Sequence, residues 1–275
     1  VEISITSQGL FSGGKALAID IAFPILHGPY GEDGTIQGLF EMIAISYVGS
    51  GVLASAVSMD KSYAKPIFAA AGLKVAPGIV VTSKDFELPS NLTFPLFVKP
   101  ARSGSSRGTT KVKQHSELAA AVNNALEFDT KVIVEQSVVG KEIECAVLQA
   151  DGKLTVSQVG QILLSDKFEF YDFQAKYLDN SMQLVVPADL PAGVEAKIQQ
   201  AALVAFKAAG CEGLARIDFF YSDQGEIIIN EINTMPGFTP TSVYPKLIEK
   251  CGITYQQLIT KLIQTAQNRS LSITR

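Results

Sequence analysis

Residues 214–233 read Leu214-Ala-Arg216-Ile-Asp218-Phe-Phe-Tyr221-Ser-Asp223-Gln-Gly225-Glu226-Ile-Ile-Ile-Asn230-Glu231-Ile-Asn233. Both arms are rich in β-branched and aromatic residues, and Ser222-Asp-Gln-Gly225 between them has turn chemistry, so the stretch is expected to form a hairpin. A two-residue loop at Gln224-Gly225 would pair Asp223 with Glu226, and counting back from that closure sets Asp218 opposite Glu231. Strand alternation then puts Arg216, Asp218, Glu231 and Asn233 on one face. Oxygen donors of this kind suit a hard cation such as Mg²⁺, with Mn²⁺ as an alternative, which keeps phosphate oxygens and waters in its other positions. A bridging Glu231 suits two ions about 3.5–4 Å apart. An exposed, salt-bridged hairpin would use the same residues. The apolar neighbours Ile217, Phe219, Ile227, Ile228, Ile229 and Ile232 argue instead for burial, where carboxylates need a compensating charge.

The rest of the chain alternates strand-like and helix-like segments. With 275 residues it is long enough for two or three lobes, so an α/β protein is expected. Ile19–Leu26 reads as a strand, followed by a glycine-bearing loop and a helix capped by Thr35. Asp60 reads as the N-cap of a second helix, which Pro66 should kink or shorten and Gly72 should end. Further strands are expected at Phe94–Lys99, Lys131–Gln136 and Glu142–Gln149, with helices opening at Ser116 and spanning Ala192–Ala209. The last of these should present Val194, Ile198, Ala201 and Ala205 on one face. Residues 166–180 have no clear period and carry five aromatics, which suits a lid over a site.

With 23 Lys and Arg against 27 Asp and Glu, the net charge gives no support to nucleic-acid or anionic-membrane binding. Cys145, Cys211 and Cys251 lack metal-ligand spacing and suit reduced thiols, hence a cytoplasmic protein. Met42–Met59 is uncharged, but its glycines and serines break its apolar character, so it reads as strand, turn and helix start instead of a membrane span.

Two other segments carry chemistry. Lys99-Pro-Ala-Arg-Ser-Gly-Ser-Ser-Arg-Gly108 leads from a strand into a glycine- and serine-rich loop able to cradle phosphates, although neither a Walker A order nor GxGxxG is present. A flexible surface loop fits the same residues. In Leu26-His-Gly-Pro-Tyr-Gly-Glu-Asp-Gly34, His27 is placed to meet a substrate carboxylate or to serve a structural role, while Glu32 and Asp33 suit a helix start.

Together these segments resemble the D-alanine-D-alanine ligases, in the family's order over nearly the whole chain. The matching motifs are Leu26-His-Gly with Gly31-Glu-Asp-Gly34, Met59-Asp-Lys61, Val98-Lys-Pro100 with Gly104-Ser-Ser106, and Val134-Glu-Gln136. They continue through Glu142-Ile-Glu-Cys145, Ala175-Lys-Tyr177, Ala215-Arg-Ile-Asp218, and Asn230-Glu-Ile-Asn233 to Pro236-Gly-Phe238 and Ser242. The resemblance implies an ATP-grasp fold preceded by a Rossmann-like lobe, divided as 1–60, 61–138 and 139–275. It implies Lys61, Lys99 and Lys176 on the ATP phosphates, Glu135, Gln136 and Val138 at adenine, Glu142 at ribose, and Mg²⁺ on Asp218, Glu231 and Asn233. It further implies Arg216 and the Gly237 amide at an oxyanion, Ser105 and Tyr177 ordering lid and substrate, Ser242 at the second D-alanine's carboxylate, and His27 and Val243 as further substrate residues. Two D-alanines, ATP and a homodimer are the expected partners, with peptidoglycan precursor synthesis the expected role. The family's opening glycine-rich loop, with the glutamate that receives the first substrate's ammonium, has no counterpart upstream of His27. The first lobe is therefore expected to be truncated.

Overall fold

The computed structural model describes residues 2–6, 9–163 and 183–269. The expected lid, with Lys176 and Tyr177, lies outside the described residues. Strands β1 (Ile3–Thr6), β2 (Gly9–Ser12) and β3 (Lys15–Ala16) form an antiparallel sheet in which β1 and β3 are exposed and β2 is half-buried. Next, β4 (Ile21–Ala22) pairs in parallel with β5 (Ser46–Tyr47), and α1 (Thr35–Met42) makes the crossover between them. The Ile19–Leu26 run thus supplies only a two-residue strand. Thr35 is not the cap of α1. Gly34 is, in a left-handed conformation with φ 91°, while the Asp33 carboxylate accepts from the Thr35 and Tyr30 amides at 3.0 and 2.8 Å.

Helix α2 (Val52–Met59) and helix α3 (Lys61–Ala70) follow, and Asp60 caps α3 by accepting from the Ser62 amide at 3.0 Å. Pro66 neither ends nor shortens α3, which runs four residues past it. The N–H it lacks would have served only Ser62, near the helix start, so little of the ladder is lost.

Strands β6 (Gly78–Val81), β7 (Leu96–Pro100), β8 (Thr110–Val112) and β9 (Val132–Gln136) make an antiparallel sheet in the order β6-β9-β7-β8. Between β8 and β9, α4 (His115–Leu126) covers one face of it, packing Leu118, Ala121, Val122 and Ala125 against Leu96, Val98, Val112 and Val134. This helix begins one residue before the expected Ser116, and its N-cap Gln114 makes no side-chain cap. Glu117 in the first turn accepts from the Lys113 amide instead, at 2.8 Å.

The largest sheet contains β10 (Gly140–Ala150), β11 (Lys153–Val156), β12 (Gly160–Leu163), β13 (Gln183–Val185), β14 (Leu214–Ser222) and β15 (Ile227–Asn233), with the long β10 at its centre. Its connections include α5 (Val194–Ala208), and α6 (Val243–Glu249) and α7 (Tyr255–Gln267) follow β15. One face is buried against α5 and α3: Ile143, Cys145, Ile217, Phe219, Ile229 and Ile232 meet Ile198, Phe206 and Phe68. Ala202 and Phe206 complete the buried stripe of α5, and Ala201 is only partly buried. The other face is apolar where Ala146, Leu148 and Leu214 meet α6 and α7. Further along the same strands that face turns polar. No described helix is long and apolar enough to cross a membrane.

Candidate active site

Asp218 does lie opposite Glu231, and Arg216 opposite Asn233, as the sequence reading expected. The turn is nevertheless one residue longer than expected, because Tyr221 pairs with Ile227 and the Ser222 amide donates to the Glu226 carbonyl at 2.9 Å. Three residues, Asp223 to Gly225, close it, with Gly225 at φ 80°. A register shift after Phe219↔Ile229 then leaves Asn230 without a partner, as a β-bulge. The two one-residue departures cancel, which restores the pairing at Asp218. The bulge also brings Asn230 and Glu231 together onto the wall of one cavity.

That cavity, of about 460 Å³, lies between the four-stranded sheet and the polar end of the six-stranded one. Lys61 enters from the start of α3, Lys99 from β7, Glu135 and Gln136 from β9, and Ser105 from the glycine-serine loop. Val138, Glu142, Asp218 and Glu231 line the remainder. Nine of the residues singled out in the sequence thus share one enclosure.

Charges on its wall and just behind it are paired. Lys61 Nζ sits 3.0 Å from Glu231 and donates to the Ser103 carbonyl at 3.1 Å, and Lys99 Nζ sits 2.6 Å from Glu135 and 3.3 Å from Asn230. Arg216 grips both oxygens of Asp218, at 2.8 and 2.7 Å, and lies 3.1 Å from Glu144. Burial opposes the charge on Lys61 and Arg216, yet Glu231 holds Lys61 up, and Asp218 and Glu144 hold Arg216 well above the usual arginine range. For Lys99, burial prevails over Glu135 and pulls the ammonium down. Burial pushes the other way on Glu135, but Lys65 and Lys99 overcome it and bring that carboxyl to about 2.

The glycine-serine loop adds backbone tension: Ser105 and Ser106 are both left-handed, at φ 54° and 55°. Two consecutive non-glycine residues there are costly, and such conformations concentrate at functional sites.

A second group forms where β15 runs on towards α6. A Cβ added to Gly237 would stand 2.5 Å from Ser242 Oγ and 3.9 Å from His27 Nε2, so the distant His27 meets Gly237 and Ser242 here. Ser242 Oγ accepts from the Thr239 amide at 3.0 Å.

This geometry has relatives. The family model described as "D-ala D-ala ligase C-terminus" matches residues 67–264, and "D-ala D-ala ligase N-terminus" matches residues 4–50. A D-alanine–D-alanine ligase of Arthrobacter sp. (strain FB24) is 50% identical over 93% of this chain and 70% of its own. The chain belongs to the D-alanine–D-alanine ligase family. Among solved structures, the VanG D-Ala:D-Ser ligase of Enterococcus faecalis matches with a TM-score of 0.86 at 41% identity, covering 96% of this chain and 79% of that one. A Bacillus anthracis D-alanine–D-alanine ligase complexed with ATP matches at 0.76 and 34% identity, over 90% of this chain and 79% of that one. The fold is therefore the mixed α/β ATP-grasp fold of these ligases.

Against that family frame, some expected residues sit differently from others. Glu135 directs its side chain at lysines, and Gln136 bonds the Thr93 amide and carbonyl at 3.0 and 2.8 Å, so both side chains are engaged by protein. Val243 is buried in the apolar core with Leu247 and Phe238. Four residues at or beside the site had no site role in the sequence reading: Glu32, Glu144 and Asn230, which stand inside its motifs, and Lys65, which stands outside them. Glu144 was within reach, since it follows Glu142 by two on one strand and so shares its face. Its partner Asp218 is 74 positions away and is set only by the β10–β14 register.

Proposed function

We infer that this chain joins two D-alanines to D-alanyl-D-alanine with ATP, through an acyl phosphate, for peptidoglycan precursor synthesis. The observation that carries the reading is the facing pair Asp218 and Glu231, set on a cavity wall with Lys61 and Lys99 within reach of the same space. Family membership and the ATP-bound relative support it.

In this reading Lys61, Lys99 and the 103–106 loop receive the polyphosphate. Val138 and the β9 backbone of Glu135 and Gln136 border the adenine, Glu142 receives the ribose, and Lys176 reaches the terminal phosphate. Asp218, Glu231 and Asn233 would hold Mg²⁺ or Mn²⁺. Among the described residues no three Asp, Glu, His or Cys side chains gather at metal-holding spacing. Two carboxylates and an amide oxygen nevertheless suit a hard cation that completes its shell with phosphate oxygens and water. When bound, the metal neutralises charge on the phosphoryl group in transfer.

The chain's own residues do the rest. The first D-alanine carboxylate attacks the γ-phosphorus and ADP leaves; the second D-alanine's amine, having lost its proton, then attacks the acyl carbon and inorganic phosphate leaves as the peptide bond forms. Arg216 and the Gly237 amide face the oxyanion that forms, fixed in place before reaction. Ser242 and His27, beside Gly237, receive the second carboxylate. Ser105 and Tyr177 order lid and substrate, and a closed lid keeps water from the acyl phosphate. The three-part division 1–60, 61–138 and 139–275, a homodimer and a cytoplasmic location belong to the same proposal.

The test is phosphate release with D-alanine and ATP. It should require Mg²⁺ and fall at least a hundredfold in Glu231→Gln, the order of loss when one electrostatic element of a site is removed; release that persists in this variant would refute the metal assignment. Similarity to a D-Ala:D-Ser ligase gives a second reading, in which D-serine is the preferred acceptor. Product analysis with D-alanine, D-serine and D-lactate supplied together separates the two.

A further inference from the structure

Lys65 is a partly buried residue whose ammonium nitrogen is buried, and it has no part in the scheme above. It follows Lys61 by four residues on α3 and therefore shares its helix face. Its Nζ lies 2.7 Å from Glu135 Oε2, while Lys99 Nζ lies 2.6 Å from Glu135 Oε1. One carboxylate thus joins two ammonium groups. Lys99 and Glu135 line the cavity and Lys65 does not, so Lys65 sits behind the carboxylate that the cavity presents.

We propose that Lys65 is a positioning residue for the nucleotide: it holds and neutralises the far oxygen of Glu135, leaving Lys99 to give its charge to the polyphosphate. The proposal rests on reading the cavity as the nucleotide site. The charge count shows why Lys65 matters there. Lys65, Lys99 and Glu135 sum to +1, and without Lys65 the sum is zero. Lys99 and Glu135 would then form a closed neutral pair in a poorly hydrated setting, where their attraction is strong, and an arriving phosphate would have to break it. A brace between α3 and β9, with no bearing on nucleotide, would show the same distances but make different predictions.

Calorimetric binding of ADP with Mg²⁺ to the full chain distinguishes them, run on wild type, Lys65→Arg, Lys65→Met, Glu135→Gln and the Lys65→Met/Glu135→Gln pair. Lys65→Met should weaken ADP binding roughly tenfold or more, the scale on which outer partners tune a ligand site. Lys65→Arg should stay close to wild type, and the KM for D-alanine should not move in either. In the Glu135→Gln background there is no carboxylate left to neutralise, so adding Lys65→Met should change the ADP affinity by less than about twofold. That comparison decides the matter even if Lys65→Met alone does not fold. Unchanged ADP affinity in a folded Lys65→Met, or an equal loss in the Glu135→Gln background, overturns the proposal. Failure of the wild-type chain to bind ADP would instead sink the nucleotide assignment of the cavity, and this proposal with it.

Discussion

Glu32 is a carboxylate that the fold holds at a cost, and replacing it with glutamine should expose that cost as a function of pH. It lies in the turn after His27, accepting from the Gly28 amide, and burial pushes its carboxyl from an ordinary 4.5 to about 7, with Glu231 adding like-charge repulsion. A folded-state value above the unfolded one means that the folded chain binds the extra proton. This contribution to stability is complete below about 4.5 and is lost as pH rises through about 7. At about 1.4 kcal/mol per tenfold change in proton affinity, a move from 4.5 to about 7 is worth about 3 kcal/mol. Glu32 retains some solvent contact, so about 1–2 kcal/mol is the realistic expectation. Glutamine keeps an acceptor for Gly28 and never ionises. Urea unfolding of wild type and Glu32→Gln should therefore agree at pH 4.5, and the variant should be the more stable at pH 9 by about that amount. Equal differences at both pH values, or a wild type that gains on the variant as pH rises, would refute the reasoning.

Other perturbations test the frame around the site. Asp60 caps α3 and also pairs with Lys131, so Asp60→Ala should cost about 1–3 kcal/mol in urea titration and raise the KM for ATP, because α3 carries Lys61. Phe206 is 2% exposed in the core under the six-stranded sheet, and Phe206→Ala should lose about 3–5 kcal/mol; a loss under 1 kcal/mol would mean that α5 packs elsewhere. At Gly140 a Cβ would stand 2.2 Å from the Tyr221 carbonyl oxygen, so Gly140→Ala should part β10 from β14 and lower the melting temperature by several degrees. Gly152→Ala meets no atom within 4 Å, and although its φ of 71° adds strain, it should be the milder of the two.

The hairpin shows how far sequence reasoning reaches into such a site. Local chemistry located both strands and their turn, and alternation correctly gathered Arg216, Asp218, Glu231 and Asn233. It did so with a turn one residue too short, and the answer survived only because Asn230 bulges out by one residue in compensation. No propensity announces that bulge. Asn230 leaves the ladder at the point where its amide can reach Lys99, a partner 131 positions away. The same limit explains the other omissions. Lys61, Lys99, Glu135 and Glu144 each stand in a recognisable motif, but the roles of Glu144 and of Lys65 come only from pairings across elements, with Arg216 and Glu135 respectively. A sequence displays the groups that face a ligand more readily than those that hold them, because the holders are selected by tertiary register and by charge balance in a buried space. Lys65 and Glu144 are both such holders: each sits beside a group assigned to ligand and carries the charge opposite to it. They are the positions where the structure adds most to the sequence.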